Sequence, residues 1–304
     1  MATSRWWKLL AVETATARLP RESRAGQRQQ GGAMVDQGKP QYWDDVAAEY
    51  DTEILSSYHS NVNNTIKNAL DTYAPLPLSG ASAAGNAVDF GCGVGKYLPA
   101  LTGRFERVVG MDFSSGLVEK AKAEVLAEGM KNVEVFRVDL TVRSAIRTAL
   151  SSSVVGFEPV RFAVCTNVLL APSDRARRAI LKNLYGTVGE GGAVLLVVPS
   201  RESAEFVDLV FRRWQGDEAA RREGLVRGRK DDIVRGLLNR GETLTKHYIK
   251  EEIILECEDV GFAIESIAKS KYGWDTEFEF STKRVPKKVA NCAPPWDWLL
   301  MLRK

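Results

Sequence analysis

Three glycines at alternate positions, Gly91, Gly93 and Gly95, follow directly on the apolar residues Ala87, Val88 and Phe90 in NAVDFGCGVGKYLPAL. With no Cβ, glycines at this spacing permit a tight turn and let a ligand lie against the backbone. The residues after Lys96 read as the first turns of a helix, whose unpaired N–H groups suit an anionic or carboxylate-bearing ligand. Asp89, two residues before the first glycine, belongs at the carboxyl end of the strand and faces the same crevice. Asp112 ends a second apolar strand, RVVGMD, 21 residues after Gly91. A carboxylate at that place can accept hydrogen bonds from both hydroxyls of a ribose. A strand, a glycine turn, a helix and two acids together make a site for a nucleotide-type cofactor.

The details of the turn select among such cofactors. The dinucleotide fingerprint G-x-G-x-x-G needs a third glycine where this chain has Lys96. The run V-D-F-G-C-G-V-G instead resembles motif I of the class I S-adenosylmethionine-dependent methyltransferases, in which an acid precedes G-x-G-x-G. The resemblance extends from Tyr42 to Lys304. It implies S-adenosylmethionine as cofactor, bound by Asp89, Gly91, Cys92, Gly93, Gly95, Asp112 and Phe113. It places Asp139 and Leu140, at the end of NVEVFRVDL, against the adenine: the acid accepts from the amino group and the next backbone N–H meets a ring nitrogen. Asn167, at the end of the apolar run VRFAVCTN, matches motif IV and joins the cofactor set beside the reaction centre. The lack of an Asn-Pro-Pro-Tyr-type tetrad argues against a DNA base as substrate.

The same family implies an α/β fold, a doubly wound seven-stranded sheet of order 3-2-1-4-5-7-6 with strand 7 antiparallel. The strand–helix alternation agrees with it. Ser114 is placed to cap a helix that runs to Glu128 with Gly129 past its end, and Gly261 is placed to cap a helix from Lys250. Trp43, Val46, Ala47, Tyr50 and Ile54 recur at helical spacing, as do Val62, Ile66, Ala69, Leu70 and Tyr73. The run YWDDVAAEYD resembles the N-terminal lid helix of small-molecule methyltransferases. Residues 41–75 are thus expected to form a helical lid, with Tyr50 at the cofactor and Tyr42 and Trp43 at cofactor or substrate; core packing is the competing explanation for Trp43. Residues 201–245 are expected to form a helical cap, with Phe206, Leu209, Val210 and Trp214 on one stripe and Ile233, Val234, Leu237 and Leu238 on another.

Residues 1–33 carry six Lys/Arg against two Glu, so residues 34–304 hold 36 basic and 37 acidic side chains and a net charge of −1. The excess of positive charge belongs to the leader, which is expected to be disordered. It reads either as an organelle transit peptide, which would place the protein in a mitochondrion or plastid, or as sequence upstream of a true start at Met34, which would leave it cytoplasmic. Between Arg212 and Arg240 nine basic and five acidic residues interleave, the pattern of a solvated helix face rather than of a nucleic-acid surface. No apolar run reaches membrane-spanning length. The four cysteines are scattered without a C-x-x-C pair and there are two histidines, so neither a disulfide framework nor a metal site is expected.

Methyl transfer needs little beyond in-line alignment in a dry site. If the acceptor carries a proton, His247 is the candidate base; a surface or helix-start histidine is the competing explanation. Tyr272, Trp274 and Asp275, with Glu277 and Glu279, combine aromatic faces and carboxylates as a small cation such as an amine prefers. The reading is therefore methyl transfer to N, O or S of a small molecule. The rivals are a nicotinamide-dependent oxidoreductase, which Lys96 disfavours, and a non-catalytic cofactor-binding relative that regulates a partner.

Overall fold

The structure is a computed structural model describing residues 35–36, 38–47, 58, 60–74, 76, 85–152, 160–215, 230–240, 243–278 and 287–304. The leader 1–33, Tyr50 and His59 lie outside these residues.

Seven strands form the main sheet: β2 (Asn86–Phe90), β3 (Arg107–Asp112), β4 (Val133–Arg137), β5 (Val160–Thr166), β6 (Val188–Pro199), β9 (Ala263–Lys271) and β10 (Trp296–Arg303). Their order is β4-β3-β2-β5-β6-β10-β9. The first five are mutually parallel, whereas β10 runs antiparallel to both β6 and β9. In order of appearance in this sheet that is 3-2-1-4-5-7-6, the expected arrangement. Strands buried on both faces need apolar residues at every position. In β6, Val194, Leu196 and Val198 pack into one core, while Ala193, Leu195 and Val197 pack into the other.

The first core is closed by helices 143–152, 174–187 and 250–260 through Ile146, Ile180, Leu184, Ile253 and Cys257. The second is closed by helices 65–73, 98–102 and 115–127 through Ile66, Leu70, Leu98, Leu101 and Val118. Local signals act as read: the Ser114 hydroxyl accepts from Leu117 N at 3.1 Å, and Gly261 ends its helix at φ 114°. Helix 65–73 starts after Val62, which is exposed rather than part of the buried stripe.

Two regions depart from the expected pattern. Strand β6 begins at Val188, five residues before the apolar run, and its pairing with β5 shifts register across the bend at Gly191. In the 201–245 stretch, helices 201–215 and 230–234 are followed by a hairpin of β7 (Leu237–Arg240) and β8 (Thr243–Lys246). Leu237 and Leu238 therefore do not continue a helical stripe from Ile233 and Val234. Gly236, at φ 71°, turns the chain between them, and a two-residue apolar pair satisfies either period. The two-residue strand β1 (Val35–Asp36) adds parallel to β8, so the segment before the N-terminal helix is joined to the inserted hairpin. No helix among the described residues is long and apolar enough to cross a membrane.

Candidate functional site

The crevice lies where the strand order reverses, between the carboxyl ends of β2 and β5, the place at which doubly wound sheets bind ligands. The glycine turn opens it. Gly91, Gly93 and Gly95 have φ of 75°, 54° and 90°, all left-handed. The turn is tied to β3, because Gly91 N and Cys92 N both donate to Met111 O at 2.7 and 2.9 Å. Asp112 completes the stitch: one carboxylate oxygen accepts from Gly93 N and the other from Ser114 N, each at 3.0 Å. Each oxygen keeps a lone pair, which is what two ribose hydroxyls require. Burial pushes the Asp112 carboxyl up to about 6, against the opposing effect of the backbone N–H groups of Ser114, Gly93 and Phe113.

Asp89 stands behind the turn and is 1% exposed. Neither of its oxygens has a hydrogen-bond partner. Burial, and then the charge of Asp112, pushes its carboxyl up to about 8. A buried carboxylate without donors is destabilising in the fold itself and marks a place completed by something else. Burial and the two acids likewise raise the Cys92 thiol well above its ordinary range, so it is a packed thiol and not a nucleophile.

The N-terminal helix (Pro40–Val46) reaches the same end of the sheet through Asp44, which the sequence reading did not single out. One Asp44 oxygen accepts from the Ser114 hydroxyl at 2.6 Å and from Gly116 N at 2.9 Å, and both oxygens lie 3.3 Å from the Ser115 hydroxyl. The Ser114 hydroxyl, then Gly116 N, hold its carboxyl below the ordinary carboxylate value. A carboxylate at a helix start meets orphan N–H groups and the positive end of the dipole. Asp44→Ala is expected to cost about 1–2 kcal/mol of stability, measured by thermal melting, and to speed amide exchange across residues 40–46. Unchanged exchange there would show that the helix is held by packing alone. That packing is real: Ala47, Val94 and Leu117 form a small core with Trp43 against it, so Trp43 packs beside the glycine turn. Tyr42 makes an edge contact with Trp43 at 5.1 Å between ring centroids.

At the next strand ends, Asp139 is exposed and one of its oxygens accepts from Thr141 N at 2.9 Å and from the Thr141 hydroxyl at 2.7 Å. Leu140 is buried, and its carbonyl accepts from the Asn183 amide at 2.9 Å. Phe113 is half-buried and its carbonyl accepts from Arg137 Nε at 3.1 Å. Asn167, the first residue past β5, has left-handed φ of 54° and donates its N–H to Val197 O at 2.9 Å. Its side-chain oxygen is buried without a partner.

The segment that follows Asn167 is held from behind by the inserted hairpin. Lys246 N donates to Leu170 O at 2.9 Å, and the Tyr248 hydroxyl donates to Leu169 O at 3.0 Å. Lys246 itself is buried, with its ammonium on Glu252 and on Arg235 O. His247 lies between these two clamps and is 4% exposed. Its N–H donates to Gly236 O at 2.7 Å and its Nδ1 lies 3.1 Å from Thr245 O.

Tyr272 and Trp274 are on the carboxyl edge of β9, away from the switch point, and both are buried. The Trp274 ring packs with Val207, Val210, Phe211 and Val289, and its Nε1 lies 3.4 Å from Cys292 O. The Tyr272 hydroxyl donates to Glu277 at 2.8 Å. Asp275 is exposed. The Trp274 face is taken up by packing, and Tyr272 is buried with its hydroxyl on Glu277. The residues expected to bind a cofactor thus stand at the carboxyl ends of four adjacent strands, β2 to β5, whereas this part of the expected substrate set stands at β9. Among the described residues no group of His, Cys, Asp or Glu could hold a metal ion.

Comparison with known proteins agrees with this geometry. Residues 87–192 match the model of a methyltransferase domain family. A 76-residue stretch is 37% identical to the 23S rRNA (uracil(1939)-C(5))-methyltransferase RlmD of Pseudomonas aeruginosa, covering 25% of this chain and 16% of that relative's length. In fold, the chain is similar to a SAM-dependent methyltransferase from Anabaena variabilis, with TM-score 0.57, 16% identity, and 90% and 99% of the two chains covered. It is similar also to the [4+2]-cyclase SpnF, with TM-score 0.54, 11% identity and the same coverage. The strand order is that of the Rossmann-like methyltransferase fold, and the domain match over residues 87–192 falls on the glycine turn and the strand ends just described.

Proposed function

We propose that the chain transfers a methyl group from S-adenosylmethionine to a nitrogen, oxygen or sulfur of a small molecule. The observation that carries the reading is Asp89, a buried carboxylate with both oxygens unpartnered at the base of a left-handed glycine turn. The α-ammonium of the cofactor's amino-acid end is the complement such a group lacks. Nicotinamide dinucleotides offer only phosphates there, which a carboxylate repels.

S-adenosylmethionine held there would supply an electrophilic methyl for displacement by the acceptor's lone pair, the carbon–sulfur bond breaking to leave S-adenosylhomocysteine and any acceptor proton passing to solvent. Asp112 holds the ribose and Asp139 the adenine amino group. The Asp44 contact keeps the N-terminal helix over this end of the sheet and limits water. Asn167 to Ala171, fixed by Lys246 and Tyr248, form the floor on the acceptor side. The near-neutral balance of residues 34–304 supports a small acceptor over nucleic acid. The rRNA relative shares too little of either chain to bear on the acceptor.

Calorimetric titration of the full chain with S-adenosylhomocysteine, and with NAD as control, tests the reading. Micromolar binding of the first alone is the expected result. Binding of NAD would overturn the cofactor, and binding of neither would favour a non-catalytic relative.

A further inference from the structure

We propose that Trp296 and Lys269, at the start of β10 and near the end of β9, form a subsite for a small carboxylate, and that the methyl acceptor carries this carboxylate. Its assignment to the acceptor rests on the methyl-transfer reading; the subsite itself rests on two donors that the fold leaves open. Trp296 Nε1 is buried and has no hydrogen-bond partner. The neighbouring tryptophans differ: Trp298 Nε1 donates to Glu202 at 3.1 Å, and Trp274 Nε1 lies 3.4 Å from Cys292 O. An indole N–H can only donate, so what Trp296 lacks is a lone pair. The second donor is Lys269, an exposed residue whose ammonium stands 3.6 Å from the centroid of the Trp296 ring. Among the described residues no carboxylate pairs with that ammonium.

The indole is held in place. Trp296 N donates to the Ser203 hydroxyl at 2.7 Å, and the ring packs against Phe206 and Trp298 at 6.1 and 6.3 Å between centroids. The acids nearby are engaged or face away. Glu202 accepts also from the Ser200 hydroxyl and Lys250 N, and Glu277 accepts from the Tyr272 hydroxyl. Asp297 follows Trp296 along β10 and so belongs to the other face of the sheet, that of Leu299 and Met301. A carboxylate here meets an N–H and an ammonium, whereas an amine meets only donors and a second positive charge. The charge preferred is therefore the reverse of the one expected from Trp274 and Asp275. Strand β10 is two places from β5 in the sheet, about 10 Å, a distance that a small acceptor can span.

Benzoate probes the subsite without knowledge of the natural acceptor, and benzylamine is its cationic counterpart. Proton–nitrogen correlation spectra of the full chain carry one indole signal for each of the seven tryptophans, and Trp296→Phe identifies that of Trp296. This signal is expected to move downfield and saturate with benzoate, and to stay in place with benzylamine. In calorimetry, Trp296→Phe is expected to weaken benzoate about tenfold or more while keeping an aromatic ring in the cluster. Lys269→Met, at an exposed position, is expected to weaken it roughly two- to fivefold at an unchanged melting temperature. A Trp296 signal that benzoate leaves unmoved, or that benzylamine moves as far, overturns the proposal, as does benzoate affinity that survives both substitutions. A parallel titration with S-adenosylhomocysteine keeps the two readings apart. Its binding without a benzoate response removes the subsite and leaves methyl transfer standing. A benzoate response in a chain that does not bind it keeps the subsite and overturns the assignment of the carboxylate to a methyl acceptor.

Discussion

Gly91→Ala is expected to lower stability by about 2–5 kcal/mol and to abolish cofactor binding in whatever fraction remains folded. Two costs combine. At φ 75° an alanine pays roughly 1–2 kcal/mol for a left-handed backbone. Its Cβ would also stand 2.4 Å from Val168 Cγ2 and 3.3 Å from Val168 Cγ1. Valine has little χ1 freedom with which to step aside, so the clash moves backbone and adds about 1–3 kcal/mol. The movement falls on the segment containing Asn167, hence on the acceptor side as well as the cofactor side. Gly129→Ala separates the two costs: its φ is 64°, yet nothing lies within 4 Å of the added Cβ. Denaturant unfolding of both variants is the measurement. Gly91→Ala should be the worse, and Val168→Ala in the same chain should recover the difference. Equal losses would show that the close approach of Val168 to the turn carries no weight.

How much of this was legible in the sequence follows from the physics of each element. Parallel strands buried on both faces must be nearly continuous apolar runs, so β2, β3, β5 and the apolar part of β6 stand out between glycines and acids. Ser114 and Gly261 announce helix ends because only a few residue types do that work. The strand order came from the family resemblance and not from periodicity, which carries no information about lateral neighbours. The hairpin 237–246 was hidden: Leu237 and Leu238 fit a helical stripe, and the one contrary signal was Gly236. Strand β1 is two residues long and has no pattern to read; its partner lies some two hundred residues further along the chain.

The site divides in the same way. Glycine spacing and strand-end acids are local, so Asp89, Gly91, Gly93, Gly95 and Asp112 could be put forward from letters. Asp44 could not, because its partners lie 70 to 72 residues away. The acidic pair in YWDDV followed downstream by Ser-Ser-Gly at a helix start was the available hint. Aromatic residues beside acids, as at Tyr272–Asp275, look the same whether they line a pocket or pack. Burial decides between these, and at Trp274 it decides for packing. Asn167 was singled out by position, but its left-handed backbone and unpaired oxygen are properties of the fold.

The other large effect concerns Asp89. Asp89→Asn is expected to stabilise the ligand-free protein at and above neutral pH while weakening S-adenosylhomocysteine roughly 10- to 150-fold, the equivalent of a charge-assisted hydrogen bond of about 1.5–3 kcal/mol. The opposite signs come from one group. The carboxyl titrates at about 8 in the fold against an ordinary 3.8, so between those values the native state holds a proton that the unfolded state has released. Stability then falls as pH rises through that window, because its slope follows protons bound unfolded minus protons bound native. Asp112, raised to about 6, gives the same sign over the lower part of the window and remains in the variant. Melting temperature against pH should therefore decline less steeply from pH 6 to 8 in Asp89→Asn than in the wild type. The cofactor's ammonium prefers the ionised carboxylate, so wild-type affinity should climb toward pH 8 and binding below it should release a proton. Titrations in two buffers of different ionisation enthalpy would detect that proton in the wild type and none in the variant. A variant that is less stable and binds as well as the wild type would show instead that Asp89 is a structural acid, and the cofactor's amino-acid end would have to be held elsewhere in the crevice.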